Sequence, residues 1–200
     1  MPDKQKKTLR DKYLRMRDSL NDKVRSQKST AILESLIHKP LYRSSINIGF
    51  YFAFGSEVET SAMMDRAIMD GKSIYLPVIN RIDKEMHFCR YDSDLCSLTC
   101  NSFGIFEPKK IPAVADEFLD LIIVPGLIFT KEGWRIGHGA GYYDRYLKKV
   151  DAITCGVAFS LQIKEYIPVG DFDVPLDYVL TENDLFIRSE PKPIFSDHLI

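Results

Sequence analysis

The run from Ile46 to Phe54 constrains this chain more than any other feature. It is β-branched and aromatic almost throughout, without polar alternation, and reads as a strand covered on both faces. Such strands belong to parallel sheets sandwiched between helices. Helical patterns bracket it. Leu9, Tyr13, Met16 and Leu20 recur at intervals of four, three and four and mark the apolar stripe of a first helix. A second helix is expected to start after Asn21, to turn Ile32, Leu33, Leu36 and Ile37 inward and to end before Pro40. Thr60 can cap a third, running through Met63, Met64, Ala67 and Ile68, and Gly71 stands where a left-handed residue closes a helix.

Further strands are expected at Ser73 to Leu76, Met86 to Tyr91, Leu121 to Val124 and Ile153 to Phe159, with edge strands at Tyr178 to Leu180 and Leu185 to Ile187. Pro125-Gly126 ends the Leu121 strand. A long glycine-bearing loop follows, then a helix from about Gly141–Tyr143 to Lys149. Strands alternating with helices predict an α/β chain: a three-layer, Rossmann-like fold with a mostly parallel central sheet flanked by helices. Two hundred residues, 45% of them hydrophobic, fit one domain over 1–200, with residues 189–200 and their two prolines as a loose tail.

No apolar run approaches the ~18 residues a membrane span needs. The basic opening MPDKQKKTLR is followed by no apolar leader core, so a cytoplasmic protein is expected. Cysteines stand at 89, 96, 100 and 155. His87, Cys89, Cys96 and Cys100 lack the tight Cys-x2-Cys pairs of structural zinc sites, and reduced thiols are the expectation. Residues 1–28 hold ten Lys or Arg against four Asp, although the whole chain carries a net charge of −1. A basic arm of this kind is either a solvated helix face or a phosphate contact.

The chemistry concentrates in Gly133-Trp134-Arg135-Ile136-Gly137-His138-Gly139-Ala140-Gly141-Tyr142-Tyr143-Asp144-Arg145. Glycines at 137, 139 and 141 allow positive φ and bring N–H groups against a ligand with no Cβ in the way. A helix starting just beyond them adds oriented donors, so phosphate is the expected guest. Arg135 offers a bidentate charge, and Asp144 a hard oxygen for Mg2+. No Gly-Lys-Ser/Thr follows, which excludes a Walker loop. The glycines lie about a dozen residues beyond the strand, which excludes the dinucleotide fingerprint.

Pro125-Gly126-Leu127-Ile128-Phe129, Thr130-Lys131-Glu132, Gly133 and the block from Arg135 to Arg145 resemble the signature of the 5-formyltetrahydrofolate cyclo-ligase family. The resemblance extends to Lys6 and Leu9-Arg10, to Glu57-Val58-Glu59-Thr60, to Phe103-Gly104-Ile105 with Glu107-Pro108, and to Asp173-Val174-Pro175, Asp177 and Val179-Leu180-Thr181-Glu182. Two residues depart from it: His138 stands where the family often has Tyr, Phe or Arg, and Ala140 where it often has Gly or Lys.

The resemblance implies ATP as co-substrate, Mg2+ as cofactor and 5-formyltetrahydrofolate as substrate, with 5,10-methenyltetrahydrofolate, ADP and phosphate as products. It implies ATP contacts from Lys6, Arg10, Arg135, the loop Gly137-His138-Gly139-Ala140-Gly141, Tyr142 and Tyr143. It implies folate contacts from Phe52, Glu57, residues 138–141 and Tyr142, with Glu57 on the pterin. Arg135 and Tyr142 would carry the chemistry, and Asp144 and Asp173 would hold the metal. Small-molecule partners, no nucleic acid, no membrane and a monomer are expected. A binding-only folate or nucleotide sensor, or a related ATP-dependent enzyme with a non-folate substrate, are the rival readings.

Overall fold

The computed structural model describes residues 2–80, 82–91, 98–100, 106–108 and 119–194. Phe103-Gly104-Ile105 and Cys96 lie outside them. A seven-stranded sheet forms the centre, built from β1 (Asn47–Gly49), β2 (Ser73–Asn80), β3 (Glu85–Arg90), β6 (Leu121–Val124), β9 (Ile153–Val157), β10 (Tyr178–Leu180) and β11 (Leu185–Ile187). Two further hairpins lie apart from it: β4 (Leu98–Cys100) with β5 (Phe106–Pro108), and β7 (Ile128–Phe129) with β8 (Arg135–Ile136). Among the described residues five α-helices flank the strands: α1 (Pro2–Asp18), α2 (Asp22–Ile37), α3 (Pro40–Arg43), α4 (Ser61–Met69) and α5 (Tyr142–Leu147).

The strand order is β11-β10-β9-β6-β1-β2-β3. From β10 to β2 every pairing is parallel, while the edge strands β3 and β11 run antiparallel. The mostly parallel sheet is as expected, and β10 is interior rather than an edge. After β1 the chain moves outward through α4 to β2. It later returns to the other side of β1 as β6 and continues to β9 and β10. The direction of winding therefore reverses between β1 and β6, and ligands in doubly wound sheets bind beyond the carboxyl ends of the strands at that point.

Burial follows from this arrangement. All four residues of β6 are buried, with Leu121 and Ile123 against α2 and α4, and Ile122 and Val124 against Tyr146 and Leu147 of α5. α1 lies over the small β7–β8 hairpin, where Tyr13 meets Leu127, Ile128 and Ile136. Asn21 caps α2 by accepting from the Val24 N–H at 2.9 Å. Gly71, at φ 76°, closes α4 with its N–H on Ile68 and the Lys72 N–H on Ala67.

Several expectations need correction. The strand expected over Ile46 to Phe54 is only three residues long. Phe50 still donates its N–H to Tyr75, but the chain then peels away from β2, leaving Ile46 and Phe54 largely exposed at the two ends. Thr60 stands at the N-cap of α4, as expected, but without a side-chain cap bond; its hydroxyl donates instead to the Tyr51 carbonyl at 2.6 Å. Ile68 faces outward at 48% exposure. In α1, Met16 is exposed and the next residue, Arg17, is buried in its place. β2 extends to Asn80 across Pro77, tolerated because the register with β1 ends at Tyr75 and, among the described residues, β2 is hydrogen-bonded there on its β3 side alone.

The turn of the β7–β8 hairpin is fixed at Gly133. Its φ is 82°, its N–H donates to Thr130, and its carbonyl accepts from Leu176 at 2.9 Å. A Cβ there would stand 2.1 Å from the Leu176 carbonyl oxygen. Gly133→Ala thus combines an unfavourable φ with a backbone clash, and a loss of about 3 kcal/mol or more is expected. Thermal melting should register it as a fall of about 6 °C or more.

Candidate functional site

Two loops leave the carboxyl ends of β1 and β6 and face each other across the switch point. The first, residues 50–60, is held by one bond of its own and one to α2: the Tyr51 hydroxyl donates to the Val58 carbonyl at 2.9 Å, and Ser29 of α2 accepts from the Glu59 N–H at 3.0 Å. Within it Glu57, 7% exposed, folds back so that one carboxylate oxygen accepts from the Phe54 N–H at 3.0 Å. The other oxygen points across the gap, 3.3 Å from His138 Nε2 and 4.0 Å from Arg17 Nη1. Phe52 is half-buried and packs against the core beneath.

The second loop begins at Gly126 and includes the β7–β8 hairpin. Gln162 donates to the carbonyls of Gly126 and Leu127, at 2.9 and 3.1 Å, and so ties the start of this loop to the segment after β9. The hairpin delivers Arg135, which is 6% exposed and donates from Nη1 to Asp144 at 2.8 Å. Its Nε is buried without a partner among the described residues. Burial pulls the guanidinium below its ordinary value, and the Asp144 carboxylate opposes that pull. The Tyr143 ring lies 5.8 Å from it.

Between Arg135 and α5 runs Gly137-His138-Gly139-Ala140-Gly141. Gly139 and Gly141 adopt φ of 104° and 69°, as expected. Gly137 does not; a Cβ there would meet nothing within 4 Å. Residues 138–140 are exposed, so the loop presents its backbone outward. The helix that follows is shorter than expected, ending at Leu147. Six residues make a weak dipole, so positive charge at the loop comes from side chains instead. Arg10 supplies one, donating from Nε to the Gly137 carbonyl at 2.9 Å, and Lys6 another through an ion pair with Asp173.

Asp144 and Asp173 come together because Val174 donates its N–H to Asp144 and Asp173 accepts from Gly170 at 2.7 Å. Two carboxylates beside an anion-seeking arginine suit Mg2+, which prefers hard oxygens and takes only one or two protein carboxylates, the rest being phosphate and water. Both are paired with cations here, so Lys6 and Arg135 would have to turn toward a phosphate as the metal entered. His87 and Cys89 join no group of three such ligands among the described residues. Tyr142 lies under Arg145, whose guanidinium carbon is 5.1 Å from the ring. The Tyr143 hydroxyl is buried and unpartnered among the described residues; burial raises it, and the Glu57 charge raises it further.

Direct contacts bring Lys6 to Asp173, Arg10 to Gly137, Glu57 to His138 and Arg135 to Asp144 and Tyr143, whereas Tyr142 meets Arg145 and Phe52 packs against the core. The residue missed was Arg17. Its signal was the spacing Lys6, Arg10, Tyr13, Arg17, again four, three and four, one position away from the apolar stripe. That face of α1 carries three cations toward the gap, so the basic arm is not a solvated face along this line.

This is a doubly wound α/β protein, with a glycine-bearing loop on the β6 side of the switch point facing the loop that leaves β1. A model of the 5-formyltetrahydrofolate cyclo-ligase family matches residues 2–182, and the chain belongs to that family, as an enzyme. It is 31% identical over 186 residues to the 5-formyltetrahydrofolate cyclo-ligase of Haemophilus influenzae, covering 90% of this chain and 99% of that protein. The enzyme of the same name from Mus musculus is 31% identical over 190 residues, covering 89% and 94%. The NMR structure of Aquifex aeolicus 5,10-methenyltetrahydrofolate synthetase superposes with a TM-score of 0.82 at 32% identity, over 97% of this chain and 98% of that one. No helix among the described residues is long and apolar enough to cross a membrane.

Proposed function

We propose that this chain uses Mg-ATP to convert 5-formyltetrahydrofolate into 5,10-methenyltetrahydrofolate, with release of ADP and phosphate. Its family supports the reaction, and the buried, half-satisfied Arg135 supports the site: a guanidinium with an orphan Nε is a charge waiting for an anion. Lys6 and Arg10 approach the same loop and would share the triphosphate with the backbone of residues 137–141, Tyr142 and Tyr143. Glu57 opens one oxygen into the gap opposite, suited to the adjacent N–H donors of a pterin, and Phe52 would line that side. His138, Gly139, Ala140, Gly141 and Tyr142 lie between the two and would touch both ligands.

The 5-formyl group is amide-like and a poor electrophile. Its oxygen attacks the γ-phosphorus as ADP leaves, the folate N10 closes on the activated formyl carbon and gives up its proton to water, and the C–O bond breaks to release phosphate and leave the N5–C–N10 amidinium of the product. Little covalent help is needed, so positioning and charge neutralisation carry the rate. Arg135, Lys6 and Arg10 hold the phosphates in line. Glu57 fixes the pterin so that the formyl oxygen faces them, and Tyr142 packs beside the reacting group. Asp144 and Asp173 would hold Mg2+, which supplies charge neutralisation at the transferring phosphoryl group.

The test is to mix the protein with Mg-ATP and 5-formyltetrahydrofolate and follow the near-ultraviolet absorbance of the methenyl product. Product should accumulate with turnover. A thermal shift with either ligand but no product would identify a binding-only sensor instead. Gly137→Ala gives a sharper check on the loop. Its Cβ would enter open space without φ strain, so the melting temperature should not move, whereas kcat/KM should fall about tenfold or more if a phosphate lies against that backbone.

A further inference from the structure

Arg17 is 2% exposed although it belongs to the most basic stretch of the chain. Taking a guanidinium out of water is costly unless its donors find partners. Arg17 finds them on both sides of the switch point. Its Nε donates to Ser56 Oγ at 3.0 Å, in the loop after β1, and its Nη1 reaches the Gly126 carbonyl at 3.4 Å, in the loop after β6. Ser56 in turn donates to Asp18. Glu57 Oε1 lies 4.0 Å from Arg17 Nη1, close enough for charge attraction and too far for a hydrogen bond.

We infer that Arg17 is a positioning residue for folate binding: it fixes Ser56-Glu57 against Gly126 and sets a positive charge beside the Glu57 carboxylate without consuming the oxygen offered to the ligand. This rests on the reading of Glu57 as the pterin's partner. A cation hydrogen-bonded directly to that oxygen would compete with the pterin. One held a bond-length further off, anchored to the neighbouring hydroxyl and a carbonyl, stabilises the charge and leaves the lone pair available. The other groups that face Glu57 are His138 from the glycine loop, Tyr51 from the end of β1 and Tyr143 from α5. Arg17 alone of these is a permanent cation.

The test compares Arg17→Met, Arg17→Lys, Ser56→Ala, Glu57→Gln and the Arg17→Met/Glu57→Gln pair, measuring KM separately for 5-formyltetrahydrofolate and ATP. Arg17→Met should raise the folate KM about tenfold to a hundredfold, the scale of losing a charged group's hydrogen bonds, and leave the ATP KM within about twofold. Arg17→Lys keeps the charge but not the fork, and should recover only part of the folate KM. Added to Glu57→Gln, Arg17→Met should cost little more, because both act through one carboxylate. Should Arg17→Met fail to fold, Ser56→Ala carries the test, with a several-fold rise confined to the folate KM. Folate and ATP KM values that stay put or move together, with only a lower melting temperature, would overturn the inference, as would additive effects in the pair. A normal folate KM in Glu57→Gln would overturn the Glu57 reading as well. A defective Glu57→Gln beside normal Arg17→Met and Ser56→Ala would remove Arg17 alone.

Discussion

Replacing Arg135 by alanine is expected to lower kcat about a thousandfold or more while the protein still folds. The size follows from where the charge sits. A transferring phosphoryl group needs its negative charge met by a donor already in place, and an arginine in that role is worth about 10³–10⁵ in turnover. Arg135 is held in place by burial, by Asp144 at 2.8 Å and by the hairpin that carries it. Survival of the fold follows from what remains: Asp144 is partly exposed and still accepts from the Val174 N–H, and the apolar faces of the sheet do not involve Arg135. A stability cost of about 1–3 kcal/mol is expected. Steady-state kinetics beside thermal melting would check both halves. A folded variant with unchanged turnover would remove Arg135 from the chemistry.

Glu57→Gln is expected to raise the folate KM about a hundredfold, with ATP binding retained. The amide keeps the shape but replaces a charged acceptor with a neutral group, one of whose atoms is itself a donor. Paired N–H groups on a pterin would then meet a mismatched partner in a largely buried site, a penalty of about 2–3 kcal/mol. The loop should stay in place, since the Tyr51–Val58 and Thr60–Tyr51 hydrogen bonds do not pass through the carboxylate. Calorimetric titration with each ligand separates the effects. Loss of ATP binding instead would put Glu57 on the nucleotide side of the gap.

The sequence was most legible where one physical cause decided the outcome. β6, β10 and β11 fall on Leu121–Val124, Tyr178–Leu180 and Leu185–Ile187 as expected, because short apolar runs between turn residues had no alternative fate. Ile46 to Phe54 misled because aromatic richness there serves two purposes. Ile48 and Phe50 fill the core, while Phe52 and Phe54 belong to the loop that leaves the sheet after Phe50. Arg17 was invisible to apolar periodicity for a different reason. Its burial is made possible by Ser56 and Gly126, 39 and 109 residues away, and nothing local announces such partners. The glycine loop, Arg135 and Asp144 were readable together because they lie within a dozen residues, whereas the approach of Asp173 to Asp144 required the turn at Gly170 and the contact of Gly133 with Leu176.

On the proposed reading the loop between Arg135 and Asp144 receives a triphosphate while Glu57 faces a pterin across the gap. A crystal structure with a non-hydrolysable ATP analogue and Mg2+ tests this. The terminal phosphate is expected within hydrogen-bond distance of Arg135 and of loop N–H groups at 137–141, with Lys6 and Arg10 turned toward it. Nucleotide bound elsewhere, with that loop unchanged and Arg135 still closed on Asp144, would contradict it.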